Sequence, residues 1–189
     1  MLYSRSSLHS PFSIRDKLFD LDFTLLTSVL LLGIISIFAQ YSSSGGTFDY
    51  HSKSHALRFG TFFILFLVVS FTSIRFWHSS SFLFFLVLVI LLLFVKFYGI
   101  QSQGSRRWVN LYVINLQPSE LMKIGIILFL SNYYHKISEG DVNKIKYLLF
   151  PLIAILAPFI LVLSQPDLGT AVLILMSGMV VTWLAGVRW

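Results

Sequence analysis

The chain reads as an all-α, polytopic membrane helix bundle with six transmembrane helices. Two observations predict this class. Hydrophobic residues make up 56% of the chain and charged residues 12%, against about 25% charged in a soluble domain. The apolar residues also fall into six runs near the roughly 20 residues that cross a bilayer, separated by short polar links. The formal net charge of +6 sits largely in residues beside the runs, where basic residues report orientation. It therefore implies no nucleic-acid partner. The absence of cysteine excludes disulfides and thiolate chemistry.

Residues 1–22 read as a cytoplasmic N-terminal tail carrying Arg5, Arg15 and Lys17, and residues 23–189 as the transmembrane domain. Asp22 is placed to cap the first span, 23–40, which ends in Tyr41-Ser42-Ser43-Ser44-Gly45-Gly46. Because five more spans follow, the first is a retained helix and not a cleaved signal peptide. The second span is predicted over 59–76, and a link around His78-Ser79-Ser80-Ser81 leads to the third, 82–98. Residues 99–116 are too short and polar to span, and are expected along the interface with Trp108 and Tyr112 at headgroup depth. The fourth span, 118–134, opens with Pro118 in a first helical turn, where its missing N–H is no loss. The fifth, 147–163, contains Pro151 near its start and Pro158 in its interior, where a kink is expected. The sixth runs over 168–185.

Basic residues orient the bundle. With the N-terminus inside, the inner segments hold Arg5, Arg15, Lys17, Arg75, Lys136, Lys144, Lys146 and Arg188, and the outer ones hold Lys53, Arg58, Arg106 and Arg107. This excess predicts a cytoplasmic N-terminus. It also puts Gln117-Pro118-Ser119-Glu120 and Gln165-Pro166-Asp167 at the outer ends of spans four and six. Two helix N-termini, two carboxylates and the Arg106-Arg107 loop are thus expected to converge on one outer cavity.

Each candidate residue has a plain structural reading beside a functional one. Glu120 and Lys123 share a helix face at i,i+3 and form either a structural ion pair or an intramembrane functional pair. Asp167 is either a first-turn cap or part of a site. Arg106 and Arg107 are either headgroup anchors or a clamp for phosphate, whose oxygens suit a guanidinium. The scattered histidines read as interfacial. No nucleophile elbow, phosphate-binding glycine loop or metal-ligand motif is present. Physics alone leaves a transporter, an enzyme for a lipid-linked anionic substrate, or a scaffold.

Three blocks carry a resemblance. Gly104-Ser105-Arg106-Arg107-Trp108 followed by Gln117-Pro118-Ser119-Glu120-Leu121-Met122-Lys123, then Ser164-Gln165-Pro166-Asp167-Leu168-Gly169-Thr170-Ala171, resemble the hallmarks of the SEDS family (shape, elongation, division, sporulation). Tyr41-Ser42-Ser43-Ser44-Gly45 is similar too, and the overall look is closer to the RodA-like elongation branch than to the division branch. The resemblance implies a peptidoglycan glycosyltransferase of the bacterial inner membrane that polymerises lipid II. It also implies partnership with a class B penicillin-binding transpeptidase and the elongation machinery. Arg107, Glu120, Lys123 and Asp167 match polar positions that the family conserves, and are expected at the substrate pocket. Gly104, Trp108, Gln117, Pro118, Ser119, Gln165, Pro166, Gly169 and Thr170 belong to the motifs' structural frame. The family fold has about ten spans, with its catalytic aspartate in an outer loop after the sixth. The catalytic residue is therefore expected beyond Trp189, and the chain is expected to be an N-terminal portion. No cofactor is evident here; a divalent cation is an expectation for the full-length family enzyme. A lipid II flippase and a non-catalytic scaffold for the transpeptidase are the competing functions.

Overall fold

The computed structural model describes residues 21–102, 105–110, 115–138 and 140–188. The chain divides into two compact units, Met1–Ser73 and Ile74–Trp189. The tail expected over residues 1–22 lies outside the described residues except at its last two positions.

Among the described residues the first unit contains α1 (Phe23–Ser43) and α2 (Tyr50–Phe71). Asp22 caps α1 as expected, accepting the N–H groups of Thr24 and Leu25 at 2.9 and 3.1 Å. The helix ends in a Schellman motif: the Gly46 N–H donates to Tyr41 O and the Gly45 N–H to Ser42 O. Both glycines have positive φ, 70° and 77°, which other residues adopt only with strain. The second helix starts nine residues before the expected 59. Asp49 caps it by accepting the Ser52 N–H at 2.8 Å, and that backbone hydrogen bond is the main reason its carboxyl lies below the usual range. Polar residues 51–58 are thus helical and find partners locally. Arg58 donates twice to Ser54 Oγ, and the buried Ser52 hydroxyl pairs with Ser44. His55, expected as merely interfacial, instead bonds Ser36 of α1 across the pair at 2.7 Å. Gly33 lets the helices meet, because a Cβ there would lie 1.9 Å from the Phe59 ring.

The second unit contains α3 (Ile74–Tyr98), α4 (Pro118–His135), α5 (Ile145–Leu163) and α6 (Leu168–Leu184). Only Thr72 and Ser73 separate α2 from α3, so the expected link at 78–81 is a correction: those residues lie inside α3. The reason is that serine hydroxyls and a backbone carbonyl among them find partners without leaving the helix. Ser81 donates back to His78 O at 2.9 Å. Asn132 of α4 donates to His78 O at 2.7 Å and to Ser81 Oγ at 2.6 Å. Side-chain hydrogen bonds of this kind join helices where lipid cannot satisfy a polar group. α5 continues through both Pro151 and Pro158, which are buried.

One cluster of the core joins Leu88 and Leu92 of α3, Met122 of α4, Val162 of α5, and Ala171 and Ile174 of α6. A second joins Ile126, Phe129, Leu130 and Tyr134 to Ala154, Ile155 and Val187. Close approach again uses small residues. A Cβ on Gly125 would lie 2.6 Å from Leu88 Cδ1, and one on Gly178 would lie 2.5 Å from Ile155 Cγ1.

Among the described residues four helices are long and apolar enough to cross a membrane: α1, α2, α3 and α5, of 21, 22, 25 and 19 residues. α6 is apolar but has 17 residues, and α4 has 18 and carries Glu120 and Lys123. Large apolar side chains such as Leu32, Phe38, Ile64, Leu83, Phe97 and Leu184 point outward. In water such a surface is a liability; in a bilayer it is the lipid-facing side. The stretch expected to lie along the interface is a small antiparallel sheet, β1 (Ile100–Ser102), β2 (Ser105–Asn110) and β3 (Asn115–Leu116), in the order β1-β2-β3.

Candidate functional site

The strand β2, the α5–α6 turn and the N-terminus of α4 meet in the second unit. Successive side chains on a strand point to opposite faces, and this gives the two adjacent arginines different tasks. Arg106 donates to Phe97 O at 2.9 Å, covering a carbonyl at the C-terminal end of α3. Arg107 turns to the α5–α6 turn. Its Nε donates to Gln165 O at 3.0 Å, its Nη2 donates to Pro166 O, and its Nη1 lies 3.9 Å from Asp167 Oδ2. The Arg107 and Asp167 side chains are 29% and 13% exposed, so solvent can still reach the guanidinium.

Asp167 is held from three directions. Its Oδ1 accepts the Thr170 N–H at 3.3 Å, which makes it the N-cap of α6. Its Oδ2 accepts Gln117 Nε2 at 3.0 Å, in addition to facing Arg107. Gln117 itself is the N-cap residue of α4 and makes no side-chain cap bond, so its amide is available to Asp167. Gln165, 4% exposed, donates to Leu92 O of α3 at 3.2 Å. The two Gln-Pro-acid segments therefore form one hydrogen-bonded unit. In it the paired helix N-termini present their positive ends with Arg107 nearby.

The other expected pair stands apart from this unit. Lys123 Nζ donates to Glu120 Oε2 at 2.8 Å, with side-chain exposures of 27% and 52%. No ion pair among the described residues joins Glu120 or Lys123 to Arg107 or Asp167. Ser119 is buried and its hydroxyl makes no hydrogen bond. Pro118 is buried at the start of α4, Trp108 lies in β2 opposite Ile100, and Gly169 and Thr170 open α6. Gly104 lies outside the described residues.

Sequence reasoning brought Arg107 and Asp167 to one place but missed the link through Gln117 and the anchoring of Gln165 on Leu92. The repeated Gln-Pro dipeptide, Gln117-Pro118 and Gln165-Pro166, marks both glutamines but not their partners. It also treated Arg106 and Arg107 as one clamp, whereas strand alternation separates them.

The bundle and the motif-bearing turn together define a multi-pass bacterial membrane protein. Comparison with known proteins is specific about which kind. Residues 19–189 match the model of the FtsW/RodA/SpoVE family, cell cycle proteins, and the chain belongs to that family. It is 30% identical over 177 residues to the probable peptidoglycan glycosyltransferase FtsW of Buchnera aphidicola subsp. Baizongia pistaciae, covering 91% of this chain and 47% of the relative. It is 29% identical over 170 residues to the peptidoglycan glycosyltransferase MrdB of Escherichia coli K12, covering 89% of this chain and 45% of the relative. The chain thus spans about half the length of the curated relatives it matches. Its fold is that of the crystal structure of the Thermus thermophilus rod shape determining protein RodA, with a TM-score of 0.72 at 24% identity, over 87% of this chain and 54% of that one.

Proposed function

We propose that this chain serves a peptidoglycan glycosyltransferase that polymerises lipid II at the outer face of the bacterial inner membrane, in its RodA-like branch. The single observation that carries the proposal is the unit of Arg107, Gln117 and Asp167 at two helix N-termini. Transfer from a lipid-linked pyrophosphate needs cations where the leaving group's charge develops and a base for the acceptor hydroxyl. Arg107 supplies a guanidinium at the mouth, and Asp167 and Gln117 hold its surroundings in place. Lys123, kept in position by Glu120, supplies a second cation on the first turns of α4. The base belongs, on the family resemblance, to an outer loop beyond Trp189.

The relatives named for this activity support the reading, and so does the excess of basic residues that puts the N-terminus in the cytoplasm. A class B penicillin-binding transpeptidase is the proposed partner on the resemblance. Among the described residues no group of three or more His, Asp or Glu could hold a divalent cation. Asp167 is committed to Gln117, Thr170 and Arg107, so a cation would need ligands from elsewhere.

The test is binding of lipid II to the protein in nanodiscs, with Lys123→Met and Asp167→Asn beside the wild type. Asn caps a helix about as well as Asp, so Asp167→Asn keeps the fold while weakening the hold on Arg107. Both variants are expected to bind lipid II more weakly while binding undecaprenol, which lacks the pyrophosphate, unchanged. Unaltered lipid II affinity in both would overturn the assignment.

A further inference from the structure

A second feature lies at the opposite end of α4 from the candidate site. A cavity of about 320 Å³ is lined by Tyr134, Pro151, Ile155, Leu175, Met179 and Arg188, among others. That is the low end of the size range of ligand pockets, enough for a hydrocarbon chain but not for a headgroup as well. It is open to the surface, since its lining residues Ile145 and Met179 are 80% and 43% exposed.

The cavity is almost wholly apolar, and the charged residue of its lining is Arg188. Arg188 lines it and makes no ion pair among the described residues. Its backbone is fixed there, because the Arg188 N–H donates to Asn143 Oδ1 at 2.8 Å and Asn143 Nδ2 donates to Gly186 O at 3.4 Å. Lys144, the N-cap of α5, and Lys146 in its first turn flank Ile145. Lys144 is neutralised by Asp141 at 2.5 Å, while Lys146 lies over the Tyr147 ring at 4.6 Å. Arg188 is thus the cation of the lining, without an ion pair among the described residues. Below it the buried Tyr134 hydroxyl faces Thr182, whose own hydroxyl donates to Gly178 O.

We infer that this cavity is a binding site for an anionic glycerophospholipid, with one acyl chain in the slot and the phosphate on Arg188. The chemistry of each part matches: hydrocarbon against Ile155, Leu175 and Met179, and a phosphate at a guanidinium suited to it. Such basic pockets between membrane helices are the places where acidic headgroups bind. The site is independent of the glycosyltransferase reading, because none of its residues belongs to the Arg107–Asp167 unit.

The test is native mass spectrometry of the delipidated protein titrated with phosphatidylglycerol or phosphatidylethanolamine. The wild type is expected to bind phosphatidylglycerol preferentially. Arg188→Gln should weaken that binding about fivefold, the factor for losing one basic contact near the membrane surface, while phosphatidylethanolamine binding stays put. Arg188→Lys should keep most of the preference. Met179→Trp, at a half-exposed position that tolerates bulk, should weaken both lipids by filling the slot. Circular dichroism checks that each variant is folded. Equal binding of the two lipids by the wild type, a preference that survives Arg188→Gln, or a wild type that binds neither lipid would each overturn the inference.

Discussion

Replacing Arg107 separates a fold-holding arginine from one that only waits for a ligand. Arg107 donates to the carbonyls of Gln165 and Pro166 and faces Asp167 at 3.9 Å. A hydrogen bond from a charged group contributes about 1.5–3 kcal/mol net. Two such bonds set a ceiling of about 3–6 kcal/mol by the same measure. The side chain is 29% exposed, so water recovers part of what is lost. The expected cost of Arg107→Ala is therefore about 2–4 kcal/mol. Arg107→Lys keeps the charge and reaches one carbonyl but loses the fork, so about half that cost is expected. The assay is unfolding of the purified protein in mixed detergent micelles, with hydrogen exchange read on the peptide spanning 164–171. Exchange there should accelerate in Arg107→Ala ahead of the rest of α6. A stability within about 0.5 kcal/mol of wild type, with exchange unchanged, would refute the clamp and leave Arg107 as a ligand-binding group alone.

The Glu120–Lys123 pair should behave as a surface pair. With Glu120 52% exposed, a double-mutant cycle of Glu120→Gln and Lys123→Met is expected to give a coupling of about 0.3–1 kcal/mol. The 3–5 kcal/mol lost on breaking a buried pair is not expected, and a coupling of that size would show that the pair is shielded in the membrane. Asp141 carries a pH signature. Its carboxyl is held below the usual range, first by the hydrogen bond from Lys144 and then by that from Ser138. A depressed carboxylate contributes stability that is present above its unfolded pKa near 3.8 and is lost as pH falls through the lower folded value. Asp141→Asn should remove that part of the acid loss of stability, and an acid limb identical to wild type would contradict the assignment.

The helices were legible because apolar runs and breakers punctuate the chain, and because Asp22, Pro118 and Asp167 mark helix starts by simple capping chemistry. What misled was polarity without a loop. The segments 51–58 and 78–81 look like links, yet local and cross-helix bonds from Asp49, Ser54 and Asn132 keep them helical. The sheet at 100–116 was hidden because its strands are short and its pairing is not written in any alternation of apolar residues. At the candidate site, charge and spacing brought Arg107 near Asp167. The bond from Gln117 to Asp167 spans 50 residues and that from Gln165 to Leu92 spans 73, and nothing local in the sequence encodes either. The division of labour between Arg106 and Arg107 became visible only once they were known to sit on a strand.

The central claim is that the Arg107–Gln117–Asp167 unit faces the outside of the cell and meets a lipid-linked pyrophosphate. The protein contains no cysteine, so a single Asn115→Cys places a lone thiol at an exposed position of β3, two residues before Gln117. The measurement is the rate at which a membrane-impermeant maleimide labels that thiol in intact spheroplasts, with and without a short-chain lipid II analogue. The account predicts labelling without permeabilisation, slowed when the analogue is present. Labelling only after the membrane is opened, or a rate indifferent to the analogue, would contradict it.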